Sequence, residues 1–463
     1  MALPIVKFAF PIGDAGMMSE KEMGGRKIGM KKLLLLLPLT LMLSGCLLEA
    51  DVENLMSPPK LSREQMDVYA ALTAVTGSKI KLHYPAGGEY RSPFIFWDLD
   101  GDRDEEALVF YYPEGSGANV RINVLEQENG AWRSVYDISG YSGQVESVGF
   151  LSLSGAVGTD FVVGWQMYSL DDNIFTLYEY QDSRLTDLYS DGFTRLLTVP
   201  GDSHDRLAVI QRSRAMKQAS LRLLDRRDGE VVTVMETALS PDTETYLQLA
   251  QGKTQDGLTA FFIDGQRSDG KTATQTVCIR GGELQNLSYN PEEGLDLMVA
   301  TQRSESIFCQ DIDGDGVTEI PVPTLVPGYE DYSEEEQRFL VSWCVIEEGR
   351  YREKSRTFFN SKDGYYFQIP ETWGDQFTIY YDESLDEYVF MQHLVGGLSK
   401  NRTFMKLRTC RQGDDRNRVG LENYARVGSR GMKEYYAYLA GRQDEAEIYV
   451  SKSLFNASFS ILE

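Results

Sequence analysis

Asp311-Ile-Asp-Gly-Asp-Gly-Val-Thr-Glu319 is the stretch from which the rest of the chain is read, and Asp98-Leu-Asp-Gly-Asp-Arg-Asp-Glu-Glu106 is its weaker twin. Carboxylates fall at loop positions 1, 3, 5 and 9 in both: Asp311, Asp313, Asp315 and Glu319, then Asp98, Asp100, Asp102 and Glu106. A hard cation such as Ca²⁺ takes roughly six to eight oxygens, and short acidic side chains on alternate residues of a tight loop converge on one point. Position 7 would lend a backbone carbonyl, from Val317 or from Asp104. Gly314 and Gly101 let the chain turn where a side chain would be strained.

The flanking residues separate two loop types with this spacing. A helix–loop–helix calcium site needs a bidentate Glu at about position 12 and a helix after it. Val322 and Val109 occupy that position here. Pro321 and Pro323 forbid a helix interior after the second loop, and Ala107-Leu-Val-Phe-Tyr-Tyr112 follows the first. Ile307-Phe-Cys-Gln310 and Phe94-Ile-Phe-Trp97 precede the loops and read as strands. A strand, a D-x-D-G-D-x-x-x-[DE] loop and a second strand resemble the FG-GAP/VCBS-type repeats of integrin-like β-propellers. The resemblance implies structural calcium at both loops, each bracing a blade. The first loop departs from the pattern at Arg103, where Gly is usual.

The same organisation extends outward from the loops. From about residue 78 to 362, five units of roughly 50 residues recur, a propeller-like period. The first part of each unit is strand–loop–strand: Phe94…Tyr112, Val148…Trp165, Leu196…Ile210, Leu247…Ile263 and Ile307…Val322. The second part is a hairpin with turn residues at its tip: Glu128-Asn-Gly130, Gln181-Asp-Ser183, Arg227-Asp-Gly229, Arg280-Gly-Gly282 and Glu347-Glu-Gly349. Four strands per unit is the mark of a propeller blade. The middle units replace the acidic loop with Ser154-Gly-Ala, Pro200-Gly-Asp-Ser and Gln251-Gly-Lys. Calcium would then brace the two units that flank ring closure. An open meander or sandwich is the alternative architecture.

Upstream, Lys31-Lys32 precede an apolar run from Leu33 to Leu43 that ends in Leu43-Ser-Gly-Cys46. A basic start, a short apolar run and small residues before the cut describe a secretory signal, and the run is too short for a mature membrane span. The Leu-Ser-Gly-Cys ending resembles the bacterial lipobox, which implies a lipid on Cys46 and anchorage to the outer face of the cell membrane. Met30 is the natural start for this signal, and residues 1–29 read as an upstream segment from a mis-assigned start codon. Residues 46–60 read as a tether. Residues 61–76 read as a helix with a Ser62/Gln65 capping box and an apolar stripe of Met66, Tyr69, Leu72 and Val75.

After Ser361-Lys-Asp-Gly364 the pattern changes, and residues 363–463 read as a small α/β domain. Strands are expected at Tyr365…Ile369, Phe377…Tyr381, Tyr388…Gln392, Thr403…Arg411 and Ile448-Tyr-Val450, with a helix over Gly431 to Gly441 and a final run Leu454…Leu462. The opening Tyr365-Tyr-Phe-Gln-Ile-Pro-Glu-Thr-Trp373 resembles the PsbP-type domains of bacterial lipoproteins. Tyr365, Tyr366 and Trp373 would either line a binding face or fill the core.

The chain of 463 residues has room for two domains, and its net charge of −24 argues against a nucleic-acid partner. Five Cys are present. Beyond Cys46 they leave Cys278, Cys309, Cys344 and Cys410, an even number that permits disulfides in an exported protein. Cys309 and Cys344 would pair, or all four would be buried thiols. His83, His204 and His393 are isolated in sequence and read as structural. No G-x-S-x-G, phosphate loop, dinucleotide fingerprint or H-E-x-x-H occurs. The reading is a mainly β, lipid-anchored binding or scaffold protein of the cell envelope, non-catalytic, with an envelope protein or glycan as partner. A glycosidase using two carboxylates is the alternative, and a solute-capture or sensing lipoprotein a third.

Overall fold

The computed structural model describes residues 61–115, 119–155, 160–168, 173–304, 307–392, 402–413, 420–441 and 448–462. The signal at 30–45, the lipobox Cys46, the tether, residues 1–29 and His393 lie outside them. The chain is mainly β, built from consecutive antiparallel sheets. Helix α1 (Arg63–Thr76) opens it, with Ser62 and Gln65 closing the expected capping box.

The first sheet holds β1 (Ile80–Leu82), β2 (Phe94–Trp97), β3 (Glu106–Pro113), β4 (Arg121–Glu128) and β5 (Ala131–Ser139). Both β1 and β2 pair with β3. The second runs β6 (Val145–Leu151), β7 (Asp160–Trp165), β8 (Ile174–Gln181), β9 (Arg184–Gly192). The third is β10 (Arg195–Val199), β11 (Arg206–Ser213), β12 (Gln218–Arg227), β13 (Glu230–Leu239). The fourth is β14 (Thr243–Lys253), β15 (Thr259–Arg267), β16 (Thr272–Arg280), β17 (Glu283–Asn286), followed by the short pair β18 (Tyr289–Asn290) and β19 (Leu295–Asp296). The fifth holds β20 (Ile320–Leu325), β21 (Phe339–Glu347), β22 (Arg350–Asn360) and β23 (Tyr365–Ile369). Pro321 and Pro323 are tolerated because β20 is the edge strand.

Every hairpin in the second half of a unit turns where the sequence places it. Asn129-Gly130, Asp182-Ser183, Asp228-Gly229, Gly281-Gly282 and Glu348-Gly349 all have positive φ at both central residues. This is the turn whose twist matches two antiparallel strands. Each sheet then packs on the next. Leu108 and Phe110 meet Phe161 and Val163 between the first and second sheets. Phe175 and Leu177 meet Leu207 and Val209 between the second and third. Ala208 and Ile210 meet Phe261 and Ile263, and Phe262 and Cys278 meet Ile320. Helix α1 covers the remaining face of the first sheet, with Val68 and Leu72 against Val109 and Leu125. Among the described residues no buried cluster joins the first sheet to the fifth.

The C-terminal sheet has the order β24 (Phe377–Asp382), β25 (Glu387–Gln392), β26 (Arg402–Arg411), β28 (Lys433–Leu439), β27 (Ala425–Arg430). It shares one core with the fifth sheet, where Leu340, Phe358 and Phe367 meet Phe390, Phe404 and Tyr435. Helix α2 (Lys452–Ser458) follows, and β29 (Phe459–Ile461) returns to pair with β23.

Several expectations are corrected. The helix expected over Gly431 to Gly441 is strand β28, hydrogen-bonded to β26 and β27 on its two sides. Three tyrosines favour a pleated surface, and two partner strands outweigh local helix preference. Ile448-Tyr-Val450 is not a strand; Val450 simply seals the core. Ile307-Phe-Cys-Gln310 forms only one bridge, Gln310 with Glu319. The buried face of α1 is Val68 and Leu72, while Met66 is 52 % and Val75 68 % exposed. Of the two readings for Tyr365, Tyr366 and Trp373, the core is the one the structure bears out. Strand β23, expected to open the C-terminal domain, pairs with β22 and so belongs to the fifth sheet. Of the two readings for the cysteines, the structure bears out buried free thiols at Cys278, Cys309, Cys344 and Cys410, and Cys309 and Cys344 are not bridged.

Two buried polar contacts hold these units. Glu387 is fully buried and accepts hydrogen bonds from Lys406 Nζ (2.8 Å), Arg408 Nη2 (2.7 Å) and Tyr424 Oη (2.6 Å). Glu387→Ala removes the buried carboxylate that Lys406, Arg408 and Tyr424 share. We expect a loss of about 3–5 kcal/mol, read from urea unfolding. His83 is buried in the first sheet, and its Nε2 accepts the Val145 N–H of the second at 3.0 Å. Burial, then Lys81, lowers its pKa below the ordinary 6.5. The neutral form is therefore favoured by folding. This stability is full above pH 6.5 and is lost as pH falls through the lowered folded pKa. The urea midpoint should fall on acidification in the wild type, and part of that fall should be absent in His83→Gln.

Candidate metal centre

In the first, second and fifth units the strand–loop–strand turn has the same length. Trp97 pairs with Glu106, Leu151 with Asp160 and Gln310 with Glu319. In each, the carboxylate at the loop exit accepts the N–H of the second loop residue. Glu106 takes Leu99 N–H (2.7 Å), Asp160 takes Leu153 N–H (3.1 Å) and Glu319 takes Ile312 N–H (3.1 Å). The second unit reads as lacking the acidic loop, because Ser152, Ser154 and Ala156 stand where the aspartates would be. Asp160 keeps the anchoring position, and its equal spacing from Leu153 was the signal available in the sequence.

The two acidic loops share one internal hydrogen-bond pattern. Asp98 accepts Gly101 N–H (2.7 Å) and Arg103 N–H (3.1 Å). Asp311 accepts Gly314 N–H (2.7 Å) and Gly316 N–H (2.9 Å). Asp100 accepts Asp102 N–H, and Asp313 accepts Asp315 N–H. The position-7 residues Asp104 and Val317 donate their N–H groups to Asp102 and Asp315. Oxygens of Asp98, Asp100 and Glu106 lie within 4.8 Å of one another, and so do those of Asp311, Asp313 and Asp315. The sequence thus identified three members of each cluster, while Asp102 falls outside the first and Glu319 outside the second.

The loops differ in counter-charge. Lys354 Nζ sits 2.6 Å from Glu319, 2.7 Å from Asp315 and 3.3 Å from Asp313. At the second unit's loop, Arg226 from β12 of the third sheet binds Glu179 and lies 4.0 Å from Asp160. No cation faces Glu106 among the described residues. Its charged neighbours are Asp100, Asp102 and Asp98. Burial first, then these acids, push its pKa up to about 7, against the Leu99 hydrogen bond. Burial also raises Asp160 to about 6, with the Leu153 bond and Arg226 opposing.

These groups face a shared cleft of about 540 Å³ between the first and second sheets. Asp100, Asp102, Asp104 and Glu106 line it from the loop, Glu126 from β4, and Asp160 and Glu179 from the second sheet. Glu126 accepts hydrogen bonds from Tyr180 Oη and Ser183 Oγ. Sequence reading missed Glu126, Asp160 and Glu179, whose juxtaposition depends on the packing of two units. The donor set is all oxygen, which suits Ca²⁺ and not a soft metal. Asp98, Asp100 and Glu106 would hold the ion. No helix among the described residues is long and apolar enough to cross a membrane.

Comparison with known proteins finds no matching family model and no matching curated protein.

Arg103 stands at φ +83°, where the second loop has Gly316 at φ +86°. A side chain in this left-handed region costs about 1–2 kcal/mol. Arg103→Gly should raise stability by about 1 kcal/mol, read as a higher urea midpoint; a lower midpoint would give the guanidinium charge the larger role.

Proposed function

We propose that the protein is a lipid-anchored binding or scaffold protein of the extracytoplasmic face, non-catalytic, whose propeller-like sheets are braced by calcium at the first acidic loop. The lipid anchor rests on Leu43-Ser-Gly-Cys46 in the sequence. The propeller reading draws support from the serial packing of the five units and their common loop position. The observation that carries the calcium reading is Glu106. It is 4 % exposed, and it alone among the three loop-exit carboxylates has acids and no base around it. A buried carboxylate in such company is costly. A divalent cation shared with Asp98 and Asp100 removes that cost, and by binding only the folded chain it raises stability.

One observation favours a second reading. Glu106 and Asp160 both have raised pKa values and face one cleft, the condition in which one carboxyl serves as acid and another as base on a glycoside. Hydrolysis of aryl glycosides that is lost in Glu106→Gln and in Asp160→Asn would favour it over the calcium reading.

Thermal unfolding with Ca²⁺ and with chelator tests the main proposal. Ca²⁺ at a free concentration of one hundred times its Kd should add about 2.7 kcal/mol. Asp100→Asn should lose most of that gain. An unchanged midpoint in the wild type, with no ion copurifying, removes calcium from the function.

A further inference from the structure

The geometry points to Lys354 as the resident cation of the second acidic loop: we infer that its ε-ammonium occupies the carboxylate cradle of Asp311–Glu319, so that this loop closes without metal and excludes Ca²⁺. The inference shares with the proposed function only the reading of these loops as cation cradles, and it holds whether or not the first loop binds an ion.

An ammonium has three donors. Lys354 finds three carboxylates, on Asp313, Asp315 and Glu319. Glu319 is fully buried and Lys354 only 14 % exposed at its side chain, so the pair is built into the sheet. The two loops otherwise share most of their internal hydrogen bonds, the second adding one from Asp315 N–H to Asp311, so the main difference lies in what reaches them from the hairpin.

The hairpin repeat shows where that difference arises. In four units the hairpin carries a β-bulge at one place, the fifth residue after the turn. The register skips Val135 in the first unit, Leu188 in the second, Val234 in the third and Lys354 in the fifth. A bulge re-aims a side chain. Three apolar residues hold this place, and one lysine. The lysine occurs in the unit whose loop best fits the calcium pattern, and valine in the unit of the weaker match.

A tethered cation competes at high effective concentration. A Ca²⁺ ion held by Asp311, Asp313 and Asp315 must displace the ammonium from Asp313 and Asp315 and then lie beside its positive charge. The better sequence match is thereby the poorer metal site.

Calorimetric titration of the full chain with Ca²⁺ tests this. Wild type and Lys354→Met are compared, each with and without Asp311→Asn. Lys354→Met should bind one more ion than the wild type. Asp311→Asn should remove that ion from Lys354→Met and leave the wild-type stoichiometry unchanged. Unchanged stoichiometry in folded Lys354→Met, or an ion lost from the wild type on Asp311→Asn, overturns the inference. If the wild type binds none and Lys354→Met binds one, the first-loop calcium reading fails while this one stands. Should Lys354→Met not fold in chelator, it is refolded with Ca²⁺: recovery of the wild-type near-UV circular dichroism supports the inference, and no recovery overturns it.

Discussion

A buried carboxylate at the mouth of a two-strand loop must be offset by hydrogen bonds and positive charge. Leaving an ion of this kind uncompensated costs several kcal/mol. Glu106, Asp160 and Glu319 each meet one part of the demand by holding the second N–H of their own loop. That bond fixes the loop's shape and brings the first strand of the unit to the second. The remaining demand is met differently in each unit, by an arginine near Asp160, by a lysine on Glu319, and at Glu106 by none of the described side chains. The distribution of cations over a repeated frame therefore separates structural loops from a candidate binding loop.

The frame keeps its geometry through backbone devices that recur. Left-handed residues at the hairpin tips set the register of each pair of strands. Bulges at a common place then turn one residue per hairpin. The fourth unit lacks the acidic loop, and it is tied to the fifth by a different buried pair. Arg303 Nη2 lies 2.7 Å from Asp264 Oδ1, and Asp264 Oδ2 also accepts the Cys309 N–H. Cys309 is thus held as a thiol beside a carboxylate, in surroundings that raise its pKa well above ordinary through burial and Asp264.

Much of this was legible in the sequence because it is local. Period-2 strands, turn dipeptides and the Ser62/Gln65 cap act within a few residues, and apart from Ile307-Phe-Cys-Gln310 and Ile448-Tyr-Val450 the structure has them. The acidic loops were legible for the same reason. What escaped depends on contacts between distant segments. Lys354 reaches Glu319 across 35 residues, and Glu126 meets Tyr180 and Ser183 across more than that. Strand β28 was misread because Tyr435, Tyr436 and Tyr438 give a helical stripe as readily as a pleated one, and only β26 and β27 decide between them. The order in which the sheets pack was equally invisible, since hydrophobic pattern marks a buried face without naming its partner.

The serial packing has a consequence for how the chain is made. Strands of each of the first four sheets are neighbours in sequence, and each core needs only the unit that follows. A chain emerging from the ribosome N-terminus first can finish one sheet while the next is still being synthesised, so long-range loop closure is seldom demanded. The fifth sheet is the exception. Its β23 edge receives β29 from a segment far along the sequence, Phe459–Ile461. That edge stays open, a template for stray pairing, until those residues have been synthesised.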